Sequence, residues 1–213
     1  MTRRHPRLNS AVAAAVCGAA ALSGAALAAT GETAIVVSAG GKRFAAIVED
    51  TATGRAFLGK PPLTLDMSEL NGNEKYRYGV TLPTAAEYCD TIAPGDLMLY
   101  GSNCLVLFYG AAGGYSYTRV GKLVSADGLA GALGTGTATV TFEKAELKAA
   151  ISMTNEVPTV TAITNLPADT AITTLAAERL DAVESDWTDW DALDDEAKSR
   201  CRFFKLVAHL TTP

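Results

Sequence analysis

All seven tyrosines of this 213-residue chain lie between Tyr76 and Tyr117. Tyrosine joins a large apolar ring to a polar tip, which suits it to recognition surfaces. Tyr76, Tyr78 and Tyr88 fall at loops or strand ends, beside Asn71, Asn73, Glu74 and Arg77. Tyr115, Tyr117 and Arg119 follow on a later segment. Such a set offers non-covalent chemistry: ring stacking, hydrogen bonds and a few charges. The candidate ligand site is therefore a shared concave pocket formed by Asn71, Glu74, Tyr76, Arg77, Tyr78, Tyr115, Tyr117 and Arg119. The competing use of any single tyrosine is structural, as a plug at a barrel rim.

Covalent chemistry has poor material. A serine or cysteine nucleophile needs a nearby base, and the histidines are His5 and His209, at opposite ends of the chain. Gly114-Tyr-Ser-Tyr-Thr118 lacks the second glycine of a nucleophile elbow. No His/Cys cluster has the spacing of a zinc or iron site. Gly131 to Gly136 is glycine-rich, but no Gly-Lys-Ser/Thr follows it, so it reads as a helix stop and a turn. The acids Asp186, Asp189, Asp191, Asp194 and Asp195 lack the alternation and central glycine of a calcium loop. They read as a solvated helix face with Asp194 as N-cap. No catalytic residue, metal or cofactor is expected.

The elements that must position the tyrosines are short strands. Leu97–Tyr100 and Leu105–Tyr109 are apolar runs around the turn Gly101-Ser102-Asn103, a pattern for buried strands joined as a hairpin. Ala34–Ser38 and Arg43–Val48 form another hairpin around Ala39-Gly40-Gly41. Asp50 is placed to cap a helix over Thr51–Leu58, which stops at Gly59 and the Pro61-Pro62 pair. Leu63, Leu65 and Met67 alternate with polar residues, as in a half-buried strand. Asn71-Gly72-Asn73 is a turn, Tyr76–Val80 a further strand, and Thr81 to Pro94 a long loop. Strands over Tyr115–Val120 and Thr137–Phe142 bracket a second short helix that begins at Ser125 or Asp127 and ends near Gly134. Many short strands with two short helices fit a closed β-barrel, which leaves no exposed sheet edge.

The N-terminus reads as an export signal: Arg3, Arg4 and Arg7, then an uncharged stretch from Ala11 to Leu27, then the small-x-small site Ala26-Leu27-Ala28. The expected location is secreted or extracytoplasmic. Thr2-Arg3-Arg4 also raises the twin-arginine route, against which Pro6 and Arg7 stand. Cys17 follows a valine too bulky for a lipoprotein peptidase and is discarded with the signal. Removing residues 1–28 takes away three arginines and no acid, so 18 basic residues become 15 against 23 acidic ones, and the net charge goes from −5 to −8. A chain this acidic has no electrostatic footprint for nucleic acid or an anionic membrane. No later stretch is long and apolar enough to span a bilayer. An oxidising compartment permits a Cys89–Cys104 bridge, but spacing alone does not establish it. A buried free thiol at Cys104 is the favoured state.

The stretch Gly95-Asp-Leu-Met-Leu-Tyr-Gly-Ser-Asn-Cys-Leu-Val-Leu-Phe-Tyr-Gly110, with Pro62–Met67, Leu70–Tyr76, Tyr115–Lys122 and Leu129–Gly134, resembles the bacterial cyclophilin-like domain over about residues 33–142. The resemblance implies a closed cyclophilin-like barrel over residues 31–143, and a cysteine at the place of Cys104 that needs no partner. It also raises peptidyl-prolyl isomerisation. Cyclophilins twist the X-Pro amide, whose barrier is about 18–20 kcal/mol, with an arginine on the proline nitrogen, a phenylalanine-lined pocket, a glutamine and a histidine. This chain has no glutamine. Arg55-Ala56-Phe57 is the nearest remnant of that motif, and it sits on the expected helix. The resemblance therefore points to a binding domain for a peptide or small ligand, with a low-activity isomerase as the alternative. A role beside flavodoxin-like redox domains is a third option, for which no flavin or phosphate loop is present.

After a linker over 144–155 the composition shifts to helix formers. Leu166-Pro167, Ile172-Thr173 and Asp191-Ala-Leu-Asp-Asp-Glu-Ala-Lys198 resemble a three-helix module of Gram-positive surface proteins. That implies a small helical module over 156–213, with helices over Val157–Leu166, Thr174–Trp190 and Asp194–Leu210, serving as a spacer or as a contact to another surface protein.

Overall fold

A computed structural model describes residues 33–154, 157–177, 186–201 and 203–209. The expected export signal lies outside the described residues. The next hundred or so residues form a closed antiparallel barrel. Its strands are β1 (Thr33–Ala39), β2 (Lys42–Val48), β3 (Leu63–Leu70), β4 (Glu74–Tyr78), β6 (Asp96–Tyr100), β7 (Cys104–Phe108), β8 (Tyr115–Leu123) and β9 (Ala138–Lys144). Their order is β2-β1-β9-β3-β4-β7-β6-β8, and β8 returns to β2 to close the ring. The short β5 (Glu87–Cys89) adds to the outer end of β8. Gly121 makes the closure possible: a Cβ there would stand 2.3 Å from the Ile47 carbonyl oxygen. The seam accepts glycine alone.

The barrel interior holds Ile35, Val37, Phe44, Ala46, Leu97, Leu99, Leu105, Leu107, Val120, Val140 and Phe142. Helix α1 (Ala52–Leu58) adds Phe57, whose ring meets Phe142 edge-on at 5.5 Å between centroids. The cap of α1 is Thr51, which accepts from the Gly54 N–H at 3.0 Å, and not Asp50. Asp50 pairs with Arg55 instead. Helix α2 (Leu129–Leu133) contributes Leu129 and Leu133 to the interior.

Every residue of β7 is buried. Leu105 and Leu107 face the interior, while Cys104, Val106 and Phe108 belong to a second cluster on the outer face with Cys89, Ile92, Met98 and Tyr117. This two-sided burial is the cause of the unbroken apolar run in the sequence.

Lys75 shares the interior register position of Leu107 and is fully buried. Its ammonium donates to Glu69 Oε2 at 2.5 Å, Gly136 O at 2.6 Å and Gly134 O at 3.0 Å. Glu69 also accepts from the Tyr109 hydroxyl at 2.7 Å and the Gly72 N–H at 3.0 Å. All three ammonium donors are thus used. Burial raises the Glu69 pKa, but the hydrogen bonds from Lys75 and Tyr109 and the Lys75 charge more than offset it, and the net shift is downward.

The C-terminal part corrects the expectation of a helical module. The expected linker contains β10 (Leu147–Thr154), which pairs with β11 (Val157–Thr164) in a hairpin. β12 (Ala171–Ala177) pairs with β13 (Thr188–Asp189) and β14 (Phe203–His209). Of the expected helices over Val157–Leu166, Thr174–Trp190 and Asp194–Leu210, only α3 (Asp195–Arg200) forms among the described residues, with Asp194 as its cap; residues 178–185, 202 and 210 lie outside the described part. Val157, Thr159, Val160, Thr161, Ile163 and Thr164 are β-branched, and such side chains lose χ1 freedom against a helical turn. Leu147, Leu166 and Leu206 cover Val36 and Ala45 on the barrel's outer surface, which buries Val36 completely. Among the described residues no helix is long and apolar enough to cross a membrane.

Replacing Lys75 with methionine leaves Glu69 and two loop carbonyls without their shared donor. Loss of one partner of a buried ion pair costs about 3 kcal/mol. Urea denaturation of the variant is expected to show a drop of that size, and an unchanged midpoint would refute the structural role of the pair.

Candidate functional site

The outer face of β4, β7, β6 and β8 carries a cavity of about 400 Å³. Its floor is set by strand register. Tyr78 and Tyr100 flank Cys104, and Tyr76 and Met98 flank Val106, in rows across β4, β7 and β6. Tyr115 and Tyr117 come from β8. Tyr117 is buried, and its ring meets Phe108 at 5.5 Å and Tyr100 at 5.6 Å between centroids. Tyr76 and Tyr78 meet edge-on at 5.8 Å. Tyr78, Tyr100 and Tyr115 remain exposed and form the lip.

The rim comes from two turns. Asn71 and Gly72 both hold left-handed backbone, at φ 57° and 73°, which turns β3 tightly into β4. Asn73 then ties this turn to the opposite rim: its side-chain NH2 donates to Ala111 O at 3.0 Å, and its backbone carbonyl accepts from the Tyr109 and Gly110 N–H groups. On the other side Ile92 and Ala112 exchange two backbone hydrogen bonds. A Cβ at Gly113 would stand 2.1 Å from Asp90 O, so the two rim segments meet backbone to backbone. The expected long loop from Thr81 to Pro94 is thus anchored, through β5 and the Ile92–Ala112 bridge.

Of the candidate residues, Asn71, Glu74, Tyr76, Tyr78, Tyr115 and Tyr117 line this one cavity. Arg77 and Arg119 do not. Arg77 is the register partner of Leu105 and so takes the interior side of β4, exposed at its end. Arg119 is exposed beside Met98, where β8 slips register against β6. The period-two alternation of a strand already separates Arg77 from Tyr76 and Tyr78. Sequence reasoning left out Tyr100, Asn73 and Cys104. Asn73 was within reach of it, standing next to Glu74. Tyr100 and Cys104 sit in apolar runs that gave no sign of a ligand.

Glu74 is the single charged residue of the lining. It is 6 % exposed, and among the described residues no donor or cation contacts its carboxylate. Burial, reinforced by the nearby Glu69 charge, raises its pKa above the ordinary 4.5. Its influence spreads: burial and then the Glu74 charge push the Tyr117 hydroxyl up to about 12. Burial and the Glu74 charge also raise the Cys104 thiol, against a smaller opposing effect from Tyr78 and the Arg77 backbone. Tyr117 therefore stays neutral at physiological pH, and Cys104 is a poor nucleophile. Asn73 Oδ1 is a second acceptor at the rim, buried and without a partner among the described residues. Cys89 and Cys104 are free thiols in one buried cluster. Among the described residues no three His, Cys, Asp or Glu side chains gather as a metal site.

Residues 37–143 match the model of the cyclophilin-like family. No curated protein and no solved structure matches the chain.

A carboxylate whose pKa is raised on folding stabilises the fold below its unfolded value near 4.5 and loses that contribution as pH rises through the folded value. Glu74→Gln removes this loss. Its melting temperature is expected to exceed that of the parent at pH 7 and to converge with it below about pH 4. A lower melting temperature at pH 7 would mean that the carboxylate has a stabilising partner.

Proposed function

Since the chain belongs to the cyclophilin-like family, we propose that it is an exported, non-catalytic binding domain that holds a peptide or small ligand against the tyrosines on the outside of its barrel. The observation that carries this reading is the composition of the cavity. Its lining contains five tyrosines, two asparagines and one glutamate, and no arginine, lysine or histidine. Turning an X-Pro amide in the cyclophilin manner needs an arginine on the proline nitrogen. Arg55, the nearest sequence remnant, is held by Asp50 on the exposed side of α1. The cavity lies in the lower part of the range for small-ligand sites, about 300–1,000 Å³. β8, which brings Tyr115 and Tyr117 to the cavity, is paired with both β6 and β2. Export rests on Arg3, Arg4, Arg7 and the Ala26-Leu27-Ala28 site, and the C-terminal sheets serve as the spacer or contact surface toward another protein.

Two assays on the full chain test this. In a prolyl-isomerisation assay with unstructured X-Pro peptides the protein is expected to leave the uncatalysed rate unchanged. In a binding screen of peptides and small molecules, ligands are expected to lose about tenfold or more in affinity when Tyr78 or Tyr115, both exposed, is replaced by alanine. Acceleration of isomerisation that disappears on substituting Arg55, Arg77 or Arg119 would overturn the reading and move the site to that arginine.

A further inference from the structure

The proposed site holds a single uncompensated charge, and its surroundings specify what would complete it. Glu74 lines the cavity as a largely buried residue whose carboxylate keeps access to it, and among the described residues it has neither a hydrogen bond nor an ion pair. Every nearby cation is directed elsewhere. Lys75 takes the opposite side of β4 and spends its donors on Glu69, Gly134 and Gly136. Arg77 shares that opposite side, and Arg119 is outside the lining. The buried side-chain atom without a partner among the described residues, Asn73 Oδ1, also lies at the rim and is an acceptor. The cavity that Glu74 lines is lined also by Tyr76, Tyr78, Tyr100, Tyr115 and Tyr117. Ring faces carry negative quadrupole potential and attract cations within about 6 Å of the centroid.

We infer that the cavity is an aromatic cage for an organic cation, an ammonium or guanidinium group, with Glu74 as its counter-charge. This rests on the reading of the tyrosine cavity as a binding site and names the ligand's chemistry. A cation supplies the charge partner that the buried carboxylate lacks, and the rings replace part of its hydration. Anions are excluded by the same carboxylate. Burial and the Glu69 charge already press Glu74 toward its neutral form, and a bound cation reverses that pressure. The chain's net charge of −5 adds a general attraction for positive ligands. The cation can belong to a free small molecule or to a lysine or arginine side chain of a peptide.

Amide NMR shifts of Tyr76, Cys104, Val106 and Tyr117 in the full chain give the readout. The probes are tetramethylammonium, the N-acetyl methylamides of lysine, arginine, norleucine and proline, and acetate. The three cationic probes are expected to shift these amides, and norleucine methylamide and acetate to bind far more weakly. Glu74→Gln is expected to weaken the cationic probes about 30-fold and leave norleucine unaffected. Tyr78→Leu and Tyr115→Leu are each expected to weaken the cations about threefold. Tighter binding of tetramethylammonium than of the lysine probe points to a free quaternary ligand, and the reverse order to a side chain; both uphold the class. Cation affinities unchanged by Glu74→Gln would overturn the assignment. So would binding of the proline or norleucine probe at these amides without the cations, and that result would leave the binding reading standing. If no probe shifts these amides, the cation assignment falls, and the binding reading is decided by the ligand screen with Tyr78 and Tyr115 variants.

Discussion

The buried ammonium of Lys75 fixes the part of the barrel on which the site depends. It ties β4 to Glu69 at the end of β3 and to two carbonyls between α2 and β9. In doing so it sets which way β4 faces. Successive side chains of a strand alternate, so a slip of one residue would turn the whole set around. With Lys75 held inward, Glu74, Tyr76 and Tyr78 must face outward, opposite Phe108, Val106 and Cys104. The alternative register would place a glutamate and two tyrosines among the leucines of the interior and leave the lysine on the surface. The ion pair is thus less important as a source of net stability, which desolvation largely cancels, than as a device that excludes the wrong face.

That choice creates a second apolar surface outside the barrel, which the chain then has to cover. β7 is buried on both sides because the segments around Ile92 and Ala112 close over its outer face. The cover is incomplete, and what it leaves open is the tyrosine cavity. A comparable device serves the opposite flank, where Leu147 and Leu206 from the C-terminal sheets, with Leu166 from the bend after β11, lie over Val36 and Ala45. The barrel therefore has an interior core and two exterior ones. The two exterior ones differ in their lining: the C-terminal one is closed by aliphatic side chains, and the other ends in aromatic rings, an acid and two amides.

Much of the barrel was legible in the sequence because its signals are local. Asn71-Gly72 needs left-handed backbone and takes it; the runs Leu97–Tyr100 and Leu105–Tyr109 are apolar on both faces, and their parts Leu97–Leu99 and Leu105–Phe108 are buried on both. The clustering of tyrosine between Tyr76 and Tyr117 pointed to the surface that carries the cavity. What the sequence concealed is long-range. Nothing near Lys75 announces that its acceptors lie some sixty residues away, at Gly134 and Gly136. Arg77 was placed in the site by its neighbours in the chain, although alternation assigns it to the other side. The C-terminal segments misled for a different reason. Alanine and the charged residues of 144–200 favour a helix one residue at a time, but β10 and β11 pair over eight positions, and the β-branched residues of β11 reinforce that pairing. Only Asp194, a local cap, was legible there as the structure has it.

The two carboxylates of the β3–β4 hairpin show how one field serves both fold and site. Glu69 receives an ammonium, a phenol and a backbone N–H, and its pKa falls despite burial. Glu74, five residues on and facing the other way, receives none of these and feels Glu69 as a like charge, so its pKa rises. A protein that needed only the fold would gain by replacing Glu74 with a neutral residue, since a buried and unpaired carboxylate weakens the native state. Its neighbours point in the same direction. Burial and the Glu74 charge keep Tyr117 protonated to about pH 12, so this ring of the lining stays neutral at physiological pH. The negative charge is thus confined to one atom group in an otherwise uncharged aromatic recess. That arrangement has poor stability and high discrimination, because what completes it must bring the opposite charge and a shape the rings can surround.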